Sequence, residues 1–118
     1  MKMKYRFGWV FLFVSLSFGV GHSALSGEVS NQIEIADNKL ILEQYAEAKE
    51  IYQKIINSSE PSVVVAYAHY KLGTVYKRQS DPEMAKKEYK KGLLSLRKAG
   101  EANHQIGKYL AQAIRITE

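Results

Sequence analysis

Tyr67, Tyr70, Lys71, Thr74, Lys77 and Arg78 recur at helical spacing along one face of a single stretch of chain. Two phenol rings beside three cations and a hydroxyl can hold a peptide by stacking, by hydrogen bonds and by contacts to carboxylates. The same residues also suit an ordinary solvated helix face with amphipathic tyrosines. They offer no nucleophile with a paired base, and elsewhere the chain has neither a serine, histidine and acid constellation nor a glycine-rich phosphate loop. His69 and His104 lack the carboxylate or cysteine companions that would complete a metal site. The absence of cysteine removes disulfides, thiolate zinc sites, cysteine nucleophiles and a lipidated cysteine together. Neither catalysis nor a cofactor nor a resident metal is expected.

A second charged stretch, KKEYKKGLLSLRK, carries Lys86, Lys87, Lys90, Lys91, Arg97 and Lys98. Its plain reading is a solvated helix face, with Glu83 placed four residues before Lys87 as a favourable pair. The alternative is a surface for an anionic partner, a membrane or a nucleic acid. Asn57, Ser58 and Ser59 fit an N-glycosylation acceptor, which matters only in a eukaryotic secretory pathway.

These side chains need helices to position them. Asp81 as N-cap, Pro82 at the first helical position and Glu83 in the first turn open one helix, and Gly100 marks its end. Asn57 to Pro61 form the loop before the helix that carries the two tyrosines. The pattern predicts helices near residues 30–43, 45–57, 61–79, 82–99 and 101–116, and no strand. Loops this short leave only antiparallel neighbours, so the chain reads as a row of helical hairpins. His69, Leu72, Gly73 and Tyr76, at i, i+3, i+4 and i+7, form the core face of the third helix.

The first 26 residues have a different character. Lys2, Lys4 and Arg6 precede an apolar run from Trp9 to Val20 and then small residues, the layout of a secretory signal peptide. About 12 to 14 apolar residues fall short of the roughly 20 that a span needs. Cleavage after Ser23 or Ser26 would leave a domain over residues 27–118 that is periplasmic or secreted. The alternative is an uncleaved inner-membrane anchor with that domain outside the cytoplasm, the one case in which a membrane partner is expected.

Of the chain's formal charge of +5, three positive charges lie in the leader, so the remainder carries only +2. The high isoelectric point is therefore weak support for nucleic acid, and none is expected as partner. An asymmetry survives: residues 27–70 carry a net −4 and residues 71–118 a net +6.

KLGTVY at Lys71 to Tyr76 returns as QIGKYL at Gln105 to Leu110, placing Gly73 and Gly107 34 residues apart. Within residues 66–99 the succession Leu72, Gly73, Tyr76, Ala85, Tyr89 and Gly92 resembles the tetratricopeptide repeat. Upstream, Tyr45, Ala48 and Tyr52 fit a second hairpin, with Ala48 offset by 37 residues from Ala85. Two registers fit the first helix. One puts Ala36 at the small position and Lys39 at the buried aromatic one; the other turns Ile33, Ala36 and Leu40 inwards and puts Asp37 at the small position.

The resemblance implies an all-α, tetratricopeptide-like solenoid of about two hairpins and a C-terminal closing helix, after the signal peptide. It implies that Gly73, Ala85, Gly92 and Gly107 are small because helices approach most closely there. It also implies that Tyr67, Tyr70, Lys71, Thr74, Lys77 and Arg78 line a concave peptide groove, with His104, Lys108 and Gln112 beside them on the last helix. The carboxylate clamp of the chaperone-type members is not expected, because Tyr70 and Thr74 occupy two of its positions. The function so implied is a non-catalytic adaptor or assembly factor for an unidentified protein or peptide. The alternative is a basic-surface binder of anionic membrane or nucleic acid through the fourth helix. Tyr109, Ala113 and Ile116 would form an uncovered outer face of the closing helix, and with the charge asymmetry they suggest weak head-to-tail self-association.

Overall fold

Helix starts and stops decide the architecture. The computed structural model describes residues 27–118, and among these the chain is all helix: α1 (Gly27–Ile41), α2 (Tyr45–Ile56), α3 (Ser62–Arg78), α4 (Pro82–Lys98) and α5 (Gln105–Thr117). The leader expected over residues 1–26 lies outside the described residues. Gln32–Glu118 form one compact unit, to which the packing below belongs.

The Asp81 side chain accepts a hydrogen bond from the Met84 amide at 3.2 Å, and Pro82 occupies the first turn, so α4 opens as its sequence requires. Three helices close alike. Glu43, Ser80 and Gly100 take left-handed conformations, with φ of 61°, 64° and 73°. The amide that follows each reaches back five residues: Gln44 to Lys39 O at 2.8 Å, Asp81 to Tyr76 O at 2.9 Å and Glu101 to Leu96 O at 2.8 Å. This closure satisfies carbonyls that a helix end leaves free. Only one of the three positions is glycine, so the ends of α1 and α3 carried no glycine signal.

One expectation is corrected. The last helix begins at Gln105, not at 101. After Gly100 the chain turns, and the His104 side chain caps α5 by accepting from the Ile106 amide at 3.2 Å.

Each helix from α2 to α5 packs on the next, and α3 also touches α5. Tyr52, Ile55, Leu72, Val75, Leu96 and Leu110 are the largest fully buried side chains. His69, Leu72 and Gly73 are buried as the core face requires, whereas Tyr76 is half-buried with the Lys49 ammonium 4.8 Å from its ring centroid. The register of α1 is now decided. Ala36 and Leu40 are buried and Ile33 is half-buried, while Lys39 reaches outward to Glu47 at 3.4 Å. The left-handed closure at Glu43 and the Gln44-to-Lys39 bond stand 37 residues before those at Ser80 and from Asp81 to Tyr76, as Ala48 stands before Ala85, so the fully buried Ala36 holds the small position that matches Gly73, with Asp37 one residue on.

The glycines mark close approaches. A Cβ on Gly73 would lie 2.5 Å from Cε1 of the buried Tyr89 ring. One on Gly92 would meet His69 Cβ at 3.0 Å and Leu110 Cδ1 at 3.2 Å, so α4 is pressed between α3 and α5 there. Ala85 is fully buried. Gly107 differs from the other small positions: its near neighbour is the Ala102 carbonyl oxygen at 2.6 Å, in the turn before α5.

Candidate functional site

The face of α3 from Tyr67 to Arg78 divides into two stripes with different neighbours. Tyr67, Lys71 and Arg78, at i, i+4 and i+11, turn toward α1. The Tyr67 hydroxyl donates to Asp37 Oδ2 at 2.8 Å, the Lys71 ammonium lies 3.9 Å from Asp37 Oδ1, and Arg78 donates to the Leu40 carbonyl at 3.4 Å. The Tyr52 hydroxyl of α2 donates to the same Asp37 carboxylate. Burial, and then the hydrogen bond and charge of Asp37, push the Tyr52 and Tyr67 hydroxyls well above the ordinary phenol range. Asp37 thus joins three helices.

Tyr70, Thr74 and Lys77, at i, i+4 and i+7, turn toward α5. They line a cleft of about 290 Å³ with Tyr89, Tyr109, Gln112, Ala113 and Ile116. The Tyr70 ring lies 5.9 Å from that of Tyr89 and 6.2 Å from that of Tyr109, centroid to centroid, both tilted. Tyr89 is buried, which raises its hydroxyl above the usual value. The cleft offers aromatic faces, hydroxyls, an amide and one ammonium, and no carboxylate lines it. That set can receive an apolar or aromatic side chain and a neighbouring acid.

The α5 side of the cleft differs from the expectation. His104 is committed to capping, and Lys108 is exposed outside the lining. Gln112 lines the cleft as expected, joined by Tyr109, Ala113 and Ile116 at i, i+3, i+4 and i+7 counted from Tyr109. Tyr109 and Ile116 remain exposed, as the expected uncovered face requires, and with Ala113 they line the open cleft. The resemblance pointed to His104, Lys108 and Gln112, of which Gln112 lines the cleft. The alternating apolar stripe of α5 was the better signal, because α5 presents that stripe to α3 and α4 together.

One further group was not anticipated. Glu88 is buried in α4 and accepts from His69 Nδ1 at 2.9 Å, with Lys91 at 3.5 Å. His69 thus pairs with a carboxylate. Among the described residues no group of three or more histidine, cysteine or acidic side chains is placed to hold a metal ion. The lysine face of α4 is partly neutralised: Lys86 pairs with Glu118 at 3.6 Å, whereas Glu83 and Lys87 form no ion pair among the described residues.

Residues 66–95, covering most of α3 and α4, match the tetratricopeptide repeat family. They are a tetratricopeptide repeat. Both the glycine at the α3–α4 contact and the two-stripe face lie within it, and tetratricopeptide repeats mediate protein–protein interaction. No curated protein and no solved structure matches the chain. No helix among the described residues is long and apolar enough to cross a membrane.

Proposed function

We propose that this chain is an exported, non-catalytic adaptor or assembly factor that holds an extended peptide of its partner in the cleft between α3 and α5. The observation that carries the reading is the convergence of Tyr70, Thr74 and Lys77 of the repeat with Tyr109 and Gln112 of the next helix around one open cleft. Lys77 supplies the only ionised group of that lining. Tyr67, Lys71 and Arg78 act one step back, fixing α3 against α1. Export rests on the basic, apolar and small-residue order of positions 1–26.

One preparation tests both parts. Full-length chain expressed in a bacterial host and recovered from outside its cytoplasm is expected to have the mass of a product beginning at Ala24 or Gly27. Immobilised, it is expected to enrich acidic sequences with an apolar or aromatic anchor from a displayed random-peptide library. Lys77→Ala and Tyr109→Ala, both at exposed positions, are expected to weaken that capture about tenfold or more while leaving thermal unfolding nearly unchanged. Wild-type capture by both variants moves binding away from the cleft, and retention in the cytoplasm removes export. Binding to anionic vesicles or DNA that survives both variants favours the lysine face of α4 instead.

A further inference from the structure

A second cleft lies between α4 and α5, on residues other than those that line the first. Leu93, Leu94, Ala111 and Ile114 form its apolar lining, with Lys90 and Arg97 beside them, and its volume is about 430 Å³. Leu94 is 50% exposed. Lys90 and Arg97 are exposed and form no ion pair among the described residues. A leucine left half in water between two free cations is not accounted for by the core.

At the corner between α1 and α2 the opposite arrangement occurs. Ile41 and Leu42 are 68% and 66% exposed, the two most exposed large apolar side chains among the described residues. Ile35, one helical face back, is also exposed. Glu34 and Glu43 flank them, both exposed and neither in an ion pair among the described residues. Two cations stand nearby and both are engaged: Lys39 pairs with Glu47 at 3.4 Å, and Arg78 donates to the Leu40 carbonyl at 3.4 Å.

We propose that copies of this chain associate head to tail, with the α1–α2 corner of one copy docking in the α4–α5 cleft of the next. The occupant is a second copy because the chain itself carries both complements. One surface is apolar and bordered by free carboxylates; the other is apolar and bordered by free cations. The residue charges of the two parts, −4 over residues 27–70 and +6 over residues 71–118, act in the same sense at longer range. An anionic membrane does not fit the corner, where Glu34 and Glu43 would face like charge. The two surfaces belong to different elements, the corner to α1 and α2 and the cleft to α4 and α5. The contact is therefore heterologous, each copy using its corner toward one neighbour and its cleft toward the other, and it can extend beyond two. Such small patches make a weak interface, whose strength depends on the charges at its rim. The peptide cleft between α3 and α5 plays no part in this contact.

The experiment uses analytical ultracentrifugation of the full-length chain with two exposed-site variants, Leu42→Asp for the corner and Leu94→Asp for the cleft. Wild type is expected to show an average mass that rises with concentration past two copies. Its association constant is expected to fall at least about tenfold between about 0.01 M and about 1 M salt, as the Debye length shrinks from about 30 Å to about 3 Å. Each variant alone is expected to remain monomeric with near wild-type thermal unfolding; Ile41→Asp repeats the corner arm should Leu42→Asp fold poorly. An equimolar mixture of the corner and cleft variants keeps one intact corner and one intact cleft, so it is expected to form dimers and stop there. A wild type that stays monomeric at high concentration in low salt overturns the proposal. So does a mixture that stays monomeric, which would mean a two-fold contact, and so does association by either variant alone.

Discussion

Where α3 packs on Tyr89 of α4 the chain has Gly73, and the ring of Tyr89 fills the space a side chain would take. In α1 the matching residue is the buried Ala36, and Tyr52, the residue that matches Tyr89, reaches with its hydroxyl to the carboxylate of the next residue, Asp37. Both tyrosines are buried and both join the two helices of a hairpin. In the first case the contact is van der Waals and depends on an absent side chain. In the second it is polar and depends on a carboxylate that also takes the Tyr67 hydroxyl from the next hairpin. A repeat can therefore keep a small residue at the close approach and add hydrogen bonding at the residue beside it, and that carboxylate carries a link between hairpins that glycine cannot make.

The largest expected effect comes from filling the space on the α3–α4 side. Gly73→Leu puts a Cβ about 2.5 Å from a ring that has little freedom to move. Overpacking of this kind costs about 1–3 kcal/mol and occasionally more, and leucine at this site is expected to exceed about 2 kcal/mol. For a domain of this size that lowers the melting midpoint by roughly 8 °C or more. Thermal unfolding followed by circular dichroism measures it, and an unchanged midpoint would remove the close-contact assignment of Gly73.

On the α1–α2 side the corresponding change is Asp37→Ala, which leaves the buried Tyr52 hydroxyl without its acceptor. An orphaned buried hydroxyl costs about 1–3 kcal/mol. The comparison is sharpened by a double-mutant cycle with Tyr52→Phe. Once Asp37 is gone, removing the Tyr52 hydroxyl is expected to cost little or to recover stability, so the two changes add to less than their sum. Strict additivity would mean that Asp37 acts on something other than Tyr52.

This contrast also shows what the sequence could disclose. The α3–α4 hairpin was legible because its determinants are local or periodic: the Asp81 and Pro82 start, Gly100 at the close, and Leu72, Gly73, Ala85, Tyr89 and Gly92 in repeat order. The role of Asp37 was not legible, since its partners lie 15 and 30 residues away and only the fold brings Tyr52 and Tyr67 to one carboxylate. The face from Tyr67 to Arg78 was visible as a face, but its division between α1 and α5 depends on where those helices pack. His104 looked like a groove residue because Glu101 to Asn103 carry no helix-breaking signal; the turn after Gly100 made it a cap.

The smallest expected effect separates the two kinds of bridge by pH. The α3–α4 hairpin has a polar link of its own, His69 to Glu88, placed away from Gly73. Burial by itself would raise the Glu88 carboxyl, but the hydrogen bond from His69, the charge of Lys91 and the further contributions of both outweigh it, and the net shift is downward. A carboxyl whose folded pKa is depressed adds stability that is present above its unfolded value, about 4.3, and is lost as pH falls through the folded one. Tyr52 and Tyr67 are shifted upward, by burial first and by Asp37 second. Their contribution is complete below the unfolded phenol value, about 10, and is lost as pH rises through the folded ones. Acid is therefore expected to weaken the α3–α4 link and alkali the link among α1, α2 and α3. Midpoints of thermal unfolding measured from about pH 3 to about pH 11 test this, the range spanning both unfolded values. Glu88→Gln is expected to flatten the acid limb by a few degrees and leave the alkaline limb as in wild type. Asp37→Ala is expected to flatten the alkaline limb and spare the acid one. If Glu88→Gln melts in parallel with wild type across the acid range, the His69–Glu88 pair contributes no pH-dependent stability, and α3 and α4 are held by packing alone.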